Sequence, residues 1–238
     1  MHFNIFRMRI KKDIISCRTC VYRQLLFGDL NDIEYGLINE GRTEMLFKRG
    51  ETIKHEGEAI QSFLYLRSGL VKLYKTDKTG KDHILSINKP GDFVSLLSIF
   101  SGNTYRYSIT AIEDTLVCDV NLEVLKYLVS TNGNLSLRLL NRMSKTSDEI
   151  IDNQFELAQK QVKGRVAHLL LFFANQIYRK NSFNLPLTRR EIGELISITT
   201  ENTIRTLSEF RKDGIIDMDG RKLMILDKDR LDIINKGG

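Results

Sequence analysis

The sequence lacks several features, and each absence excludes a class of protein. Its 238 residues include no tryptophan and only two prolines, which excludes a collagen-like chain or a proline-rich linker system. Unbroken apolar runs such as 169–174 fall far short of the roughly 20 residues that span a bilayer. No apolar stretch of signal-peptide length follows the basic N-terminus. We therefore expect a folded cytoplasmic protein that makes no membrane contact.

Cysteine is also scarce. An odd total of three, in a chain expected to be cytosolic, argues against a disulfide framework. Three interpretations remain for these side chains: metal binding, reversible thiol chemistry, or plain burial as small apolar residues.

The net charge of +6 is unevenly distributed along the chain. Residues 1–27 carry six Lys/Arg and one Asp, residues 28–162 carry a net charge of −3, and residues 163–238 carry +4. A basic C-terminal third behind an acidic middle is the asymmetry expected when one module meets a polyanion.

The middle of the chain, from about residue 45 to 120, consists of short apolar or alternating segments. Glycine-containing turns separate them, and residues 63–66, 70–74, 83–87 and 115–120 are rich in the β-branched and aromatic side chains typical of strands. This pattern predicts a small antiparallel β-barrel or β-roll.

A heptad pattern follows Asn132-Gly133 and predicts one long helix. The pattern fits either a stripe that faces the protein's own core or the interface of a parallel dimer. Ile151, Phe155 and Ala158 widen the apolar arc, so one helix could serve both purposes. The predicted interface residues are Leu140, Met143, Ser147, Ile150, Gln154 and Leu157.

The last third predicts an apolar helix over 162–178, followed by a winged helix-turn-helix. Thr188 and Glu191 have the spacing of a capping box, so a helix begins there. A break at 197–199 supplies a new N-cap for a second helix, over 200–212, that ends before Gly214. Segments 215–218 and 223–226 flank an Asp-Gly turn and predict a hairpin.

The second of these helices has one apolar side and one polar side. Thr203, Leu207 and Phe210 share the apolar side, with Ile204 at its border. On the polar side, arginine can contact guanine and glutamate can accept from cytosine N4. The alternative without a DNA-binding role is that Glu201 and Arg205 form a surface ion pair that stabilises the helix by about 0.2 to 0.5 kcal/mol. The predicted base-facing residues are Glu201, Arg205 and Ser208, and those predicted to contact phosphates are Arg189, Thr199, Thr200 and Asn202.

Residues 188–193, 199–205 and 212–216 closely resemble the C-terminal domain of the CRP/FNR superfamily of bacterial transcription regulators. The resemblance covers nearly the whole chain, because Gly50-Glu51, Gly57-Glu58, 69–71 and 90–93 resemble the turns of that family's cyclic-nucleotide-binding β-roll. It implies a homodimer on an inverted repeat of double-stranded DNA, with RNA polymerase as a further partner. By position, Glu201 and Arg205 match the family's main base-reading residues, and Ile204 matches a third groove-facing position.

Cyclic AMP does not fit this chain. The family's glutamate for the ribose aligns with Leu96, and Arg106 is the only basic residue kept in that cassette. The two hydroxyl residues that contact adenine align with Ile150 and Ile151. Burying an exocyclic amine against two isoleucines would leave it without a partner, at a cost of about 1 to 3 kcal/mol.

The cysteines resemble those of the oxygen-sensing FNR branch, in which four thiolates hold an iron-sulfur cluster. Cys17, Cys20 and Cys118 match three of the four positions, and Leu26 stands at the remaining one. A cluster would then need another ligand, and structural zinc has the same deficit. Haem is a further family option, but His2, His55 and His83 are scattered. An effector-independent regulator is also left open.

We expect an α+β fold, with an N-terminal β-roll, a long central dimerisation helix and a C-terminal winged helix-turn-helix. The predicted divisions are 1–27 with the CxxC pair, 28–130, 133–162 and 163–238. The rival from another class is a β-roll enzyme fused to a DNA-binding tail. Only His55, Glu56 and Glu58 approach a metal-ligand cluster, so no catalytic function is expected.

Overall fold

The computed structural model describes residues 9–10 and 16–237, and it gives the backbone alone for Arg9, Ile10 and Leu97. His2 and most of the basic N-terminus therefore lie outside the described residues. No described helix is long and apolar enough to cross a membrane.

Short helices and antiparallel strands alternate in the first half of the chain. They are β1 Arg9–Ile10, a 3-10 turn Cys17–Thr19, α1 Arg23–Leu26, α2 Asp32–Glu40, β2 Arg42–Phe47, β3 Thr52–Lys54, β4 Ser62–Ser68, β5 Val71–Thr76, β6 Asp82–Asn88, α3 Leu96–Ile99, β7 Ser108–Ala111 and β8 Thr115–Asn121.

Helices dominate the second half. Its elements are α4 Leu122–Thr131, α5 Gly133–Gln159, α6 Val162–Phe172, a π-helical turn Phe173–Ile177, β9 Ser182–Asn184, α7 Arg189–Ile196, α8 Thr200–Lys212, β10 Ile216–Asp219, β11 Lys222–Ile225 and α9 Lys228–Gly237. The predicted α+β class, with a β-roll, a long helix and a winged helix-turn-helix, is confirmed.

The chain divides into two compact units. The first contains the described residues up to 75 together with 85–148, and the second contains 76–84 together with residues from 149 onward. The division falls inside α5. It differs from the predicted divisions at 28–130, 133–162 and 163–238, which stay predictions.

Two four-stranded sheets form the β-roll, with the strand orders β1-β2-β8-β4 and β3-β7-β5-β6. Four predicted turn glycines, Gly50, Gly57, Gly69 and Gly91, all have φ between 79° and 97°, which side chains other than glycine rarely adopt.

Strand β4 contributes to two hydrophobic cores because successive side chains of a strand point to opposite faces. Phe63 and Tyr65 belong to a core shared with α2, α4 and the start of α5, whereas Leu64 and Leu66 belong to the core between the strands of the roll. Strand β8 does the same, with Cys118 on the side of Tyr65 and Val117 on the other. This alternation points Cys118 and Tyr65 toward the N-terminal segment.

The second unit departs from the prediction in three places. The predicted helix 162–178 ends as α6 at Phe172 and passes into the π-helical turn. Strand β9 was not predicted; it pairs with β11 and makes the hairpin a three-stranded sheet. Helix α9 was also not predicted, although the Asp227 carboxylate accepts from the Arg230 N–H, 2.9 Å away, and Leu231 is fully buried.

Candidate DNA-reading helix and cysteine pocket

The start of α7 is held by the predicted capping box. The Thr188 hydroxyl accepts from the Glu191 N–H at 3.2 Å, and the Glu191 carboxylate accepts from the Thr188 N–H at 2.8 Å. Two backbone donors at the helix start are satisfied in this way, so the helix begins at Arg189.

A tight turn sets the spacing between α7 and α8. Ser197 ends α7 in the left-handed conformation, with φ of 56°, and a Cβ at Gly193 would lie 2.7 Å from the Ile198 carbonyl oxygen. Arg165 of α6 donates from Nη1 to the carbonyls of Ile196 and Ser197, both 3.2 Å away. Sequence reasoning missed Arg165 because it lies more than 30 residues before the turn that it holds.

Helix α8 presents the predicted polar face to solvent. It begins after Thr199, whose hydroxyl accepts from the Asn202 N–H at 3.1 Å. The buried side chains are Thr203, Thr206, Leu207 and Phe210. The exposed ones in the first two and a half turns are Glu201, Ile204, Arg205 and Ser208, whereas Thr200 and Asn202 are half-buried.

Glu201 and Arg205 make separate contacts instead of the surface pair considered above. Arg205 donates from Nη2 to the Asn202 amide oxygen at 2.9 Å and lies 4.0 Å from the Glu209 carboxylate. Hydrogen bonds from its own backbone N–H and from the Thr199 hydroxyl hold the pKa of Glu201 below its usual range. The exposed face therefore carries an ionised acceptor and a permanent cation one turn apart.

Arg189 lies against the wing. It donates from Nη2 to the Gly220 carbonyl at 3.1 Å, and its half-buried position lowers the pKa of the guanidinium by desolvation. The wing itself pairs Asp219 with Lys222, so Gly220 and Arg221 form its two-residue loop, one position later than the predicted Asp-Gly turn.

The long helix α5 divides the predicted interface residues between core and surface. Leu140 is 59% exposed and Gln154 is exposed, Met143, Ser147 and Ile150 are half-buried, and Leu157 is buried within the chain. Other apolar side chains of the helix are 64 to 67% exposed: Leu137, Ile151 and Phe155. The exposed apolar side chains therefore form a stripe that lies beside the predicted one on the surface of the helix.

A second cluster forms where three strands of the roll lie in register. Cys118 on β8 faces Glu44 on β2 and Tyr65 on β4. Residues directly opposite each other share a face of the sheet. The turn 17–19 covers that face, and the Cys17 N–H donates to the Asn39 side chain at 3.0 Å. The fold therefore brings Cys118 close to Cys17 and Cys20, which lie about 100 residues earlier in the sequence.

The three thiols line one small pocket of about 20 Å³, close to the volume that one water molecule needs. Its lining is Cys17, Cys20, Tyr22, Arg23, Phe27, Arg42, Tyr65, Phe93, Cys118 and Val120. The Tyr65 hydroxyl is buried there without a hydrogen-bond partner in the described structure.

Buried charges lie beside the pocket. The Glu44 carboxylate is fully buried and paired with Arg67 and with Arg42, 3.4 Å away. Cys118 Sγ lies 3.8 Å from Arg42 Nη1 and 3.9 Å from Glu44 Oε1. Burial raises the pKa of Cys118 to about 12 and also raises the pKa of Cys17. Both groups are therefore neutral thiols at neutral pH.

Known families match both halves of the chain. Residues 44–132 match the cyclic nucleotide-binding domain, and residues 164–233 match the Crp-like helix-turn-helix domain. The transcriptional activator protein FnrA of Stutzerimonas stutzeri is 28% identical over 225 residues, covering 91% of this chain and 88% of its own. The chain belongs to the CRP/FNR superfamily of transcription regulators.

Two further proteins are similar over most of the chain. The fumarate and nitrate reduction regulatory protein of Escherichia coli K12 is 28% identical over 223 residues, covering 91% of this chain and 89% of its own. The structure of FixK2 from Bradyrhizobium japonicum is similar with a TM-score of 0.74 and 26% identity, over 83% of this chain and 98% of that one. The two relatives matched by sequence are named as a transcriptional activator and a regulatory protein.

The iron-sulfur cluster implied by the FNR branch does not fit the pocket of this CRP/FNR-type chain. Leu26, at the fourth ligand position, is 1% exposed and packs in the apolar core. The space between the thiols has the size of one water, and a four-iron cluster needs four ligands. Among the described residues, no three His, Cys, Asp or Glu side chains are grouped so that they could hold a metal ion.

The residues aligned with the nucleotide site differ in exposure. Leu96 is 1% exposed, whereas Arg106 is exposed. The small residue that precedes Leu96, Ser95, accepts a hydrogen bond from the Leu64 N–H at 2.9 Å. On α5, Ile150 is half-buried and Ile151 is exposed.

The histidines considered for haem, and the carboxylates considered for a metal enzyme, have other contacts. His55 is exposed, and its backbone N–H donates to the Glu58 carboxylate at 3.1 Å. His83 is exposed and lies 2.7 Å from Asp77. Glu58 and Glu56 pair with lysines at 2.8 and 2.9 Å.

Proposed function

We propose that this regulator binds an inverted-repeat operator as a homodimer, with α8 of each protomer in a major groove. Arg205 is assigned to a guanine through O6 and N7, and Glu201 to a cytosine N4 amine. The observation that carries the proposal is the exposed face of α8, because its base-reading groups point away from a helix whose other side is fully packed.

Ile204 adds an apolar element to this face. Its side chain is 50% exposed between Glu201 and Arg205, and its methyl groups suit the C5-methyl of thymine. We therefore propose that Ile204 selects a thymine next to the base pair that Arg205 reads. Thr199, Thr200, Asn202 and Ser208 are assigned to phosphates or to neighbouring base edges.

The proposal of a homodimer rests on the apolar side chains that α5 leaves in solvent. Leu137 and Leu140 in the first unit, and Ile151 and Phe155 in the second, are each 59 to 67% exposed. A helix face of this kind is expected to be covered, and a second copy of the same helix is self-complementary across a two-fold axis. Two recognition helices then meet half-sites about one helical turn apart.

Regulation is assigned to the first unit, and contact with RNA polymerase is proposed because the superfamily acts on transcription. Because the proposed partner is chromosomal DNA, we propose a cytoplasmic site of action.

The roll supplies no nucleotide-binding pair, since Leu96 is buried in the core where a ribose-binding carboxylate would be needed. We therefore propose a signal other than cyclic AMP.

The test is selection of bound duplexes from a randomised DNA library, followed by titration of the selected site at several salt concentrations. We expect an inverted repeat to be enriched and log affinity to fall linearly with log salt. Enrichment of a single half-site would contradict the dimer. Affinity that does not change with salt, or no enrichment at all, would contradict DNA recognition by α8.

A further inference from the structure

We propose that Cys17 and Cys20 form an oxidative modification site, in which a hydroperoxide oxidises the Cys20 thiol and the Cys17 thiol then closes a disulfide. Disulfides in cytosolic proteins are typically transient and serve redox sensing or catalysis. The proposal goes beyond the DNA-binding function, and it is tested on the protein without DNA.

The backbone already holds the two cysteines at the right separation. The Cys20 N–H bonds to the Cys17 carbonyl, 3.4 Å away, around the 3-10 turn. Such a turn keeps the first and fourth Cα atoms within about 7 Å, and disulfides span about 4.4 to 6.8 Å between Cα atoms. Both thiols also line the same pocket. A disulfide can therefore close without a large movement of the chain.

The pocket distinguishes the roles of the three thiols. Cys20 is half-buried and so can be reached from solvent, whereas Cys17 is 6% exposed and Cys118 is 3% exposed. Cys118 lies on strand β8 against the Glu44 carboxylate, whereas Cys17 shares the 3-10 turn with Cys20. Cys20 is thus the residue that meets the oxidant, and Cys17 is its neighbour along the turn.

The size of the pocket suits hydrogen peroxide, and two polar side chains reach it. About 20 Å³ excludes a nucleotide, a haem or a cluster and leaves room for a molecule of one or two heavy atoms. The buried Tyr65 hydroxyl lines this space without a partner, and Arg23 lines it as well. The Tyr65 O–H can donate to the peroxide oxygen that departs as water.

Two balanced steps describe the chemistry. The Cys20 sulfur attacks one peroxide oxygen, so that an S–O bond forms, the O–O bond breaks, and the second oxygen leaves as water with the thiol proton. The Cys17 sulfur then attacks the sulfur of the Cys20 sulfenic acid, the S–O bond breaks, and the hydroxide takes the Cys17 proton and leaves as a second water. Two thiols are oxidised to one disulfide, and one hydrogen peroxide is reduced to two waters.

A short path links this site to α5 within the same unit. The chain runs from Cys20 into α1, where the Gln24 carbonyl accepts from Arg138 Nη1 at 3.1 Å. Asp29 accepts from Arg138 Nε at 2.6 Å. Arg138 lies on α5, so a disulfide that tightens the turn acts on a segment bonded directly to the long helix.

The experiment treats the reduced full-length chain with equimolar hydrogen peroxide, alkylates it with N-ethylmaleimide and maps it by mass spectrometry. We expect alkylated thiols to fall from three to one per chain. Trypsin cuts after Arg18, so the disulfide should join peptides 13–18 and 19–23, while peptide 107–126 carries alkylated Cys118. Three alkylated thiols after peroxide, or a bond that includes Cys118, would overturn the proposal.

Matched variants sharpen the assignment. Cys118→Ser should still form the disulfide, whereas Cys17→Ser should stop at a Cys20 sulfenic acid that dimedone traps. Tyr65→Phe keeps the ring and should slow disulfide formation about tenfold or more; an unchanged rate would overturn the part assigned to Tyr65. Anaerobic incubation with ferrous iron and sulfide should leave the desalted protein colourless, and a stable chromophore that Cys118→Ser loses would overturn the site.

Discussion

Helix α8, which is proposed to read DNA, and the cysteine pocket are assembled in opposite ways. The chemistry of α8 comes from residues within three turns of one helix, and it faces solvent. The pocket combines a turn at 17–20 with side chains of β4 and β8, and its thiols are mostly buried. The exposed residues of α8 can be substituted one at a time at little cost to folding. The cysteine pocket, in contrast, depends on the register of the strands and on the segment that covers them.

The largest effect on DNA binding is expected at the exposed apolar face of α5, which the proposed dimer would bury. Phe155→Glu places a charge on a side chain that is 66% exposed, and it occurs twice in a symmetric dimer. Each buried aromatic contact of this size is worth about 1.5 to 3 kcal/mol. We expect a monomer by light scattering and loss of operator binding.

Lys145→Glu is the matched control for this change, because it introduces the same residue at an exposed position on another side of α5. It should remain dimeric. A Phe155→Glu protein that is still a dimer, with the mass of two chains, would mean that this face of α5 is not the interface.

The next prediction separates recognition of the bases from electrostatic attraction to the phosphates. Arg205→Ala should lose about 1 to 3 kcal/mol of discrimination per half-site, because a bidentate contact to guanine is lost. Arg211→Ala removes the same charge from an exposed position in the last turn of α8, away from the reading face. It should weaken all sequences alike. Discrimination between operators is measured by competition with mutated sites. If the two variants discriminate equally, Arg205 does not contact a base.

A smaller effect is expected at the capping box. Thr188→Ala removes the hydroxyl that accepts from the Glu191 N–H and should lower the free energy of unfolding by about 1 kcal/mol. Thr188→Ser keeps the acceptor and should match the parent chain in urea denaturation. If both variants lose the same stability, the methyl group of the threonine matters and the cap does not.

The smallest effect concerns the link between the cysteine segment and α5. Arg138 and Asp29 are 35% and 45% exposed, so the pair contributes little, about 0.2 to 1 kcal/mol. Arg138→Gln should therefore barely change the unfolding midpoint, as should Lys145→Gln on the same helix. Only Arg138→Gln should change hydrogen exchange of α1. Equal exchange in both variants would show that Arg138 does not hold that segment.

Elements with strong local signals were predictable. The capping box at Thr188, the break at 197–199 and the bounds of α8 match the sequence-based prediction, because side-chain caps and helical periodicity act over a few residues. Strand β9 could not be seen in the same way. Its three residues have no local strand signal and are ordered by pairing with β11, 38 to 42 residues later.

The exposed apolar stripe on α5 shows the same limit. The heptad pattern identified the helix, but it could not tell which apolar residues face the chain's own core. Packing decided this, by burying Leu157 and partly covering Met143 while leaving Ile151 and Phe155 in solvent.

The sequence by itself determined the family, the polar face of α8 and the presence of three cysteines. Each of these depends only on residue types and on their spacing over short stretches of chain. Only the tertiary structure decided that these cysteines share one pocket with Tyr65, and that the pocket is too small for a cluster. The physical reason is strand register. Cys118 meets Tyr65 and Glu44 only after β2, β8 and β4 pair, and that pairing joins residues as much as 78 positions apart, Arg42 and Val120.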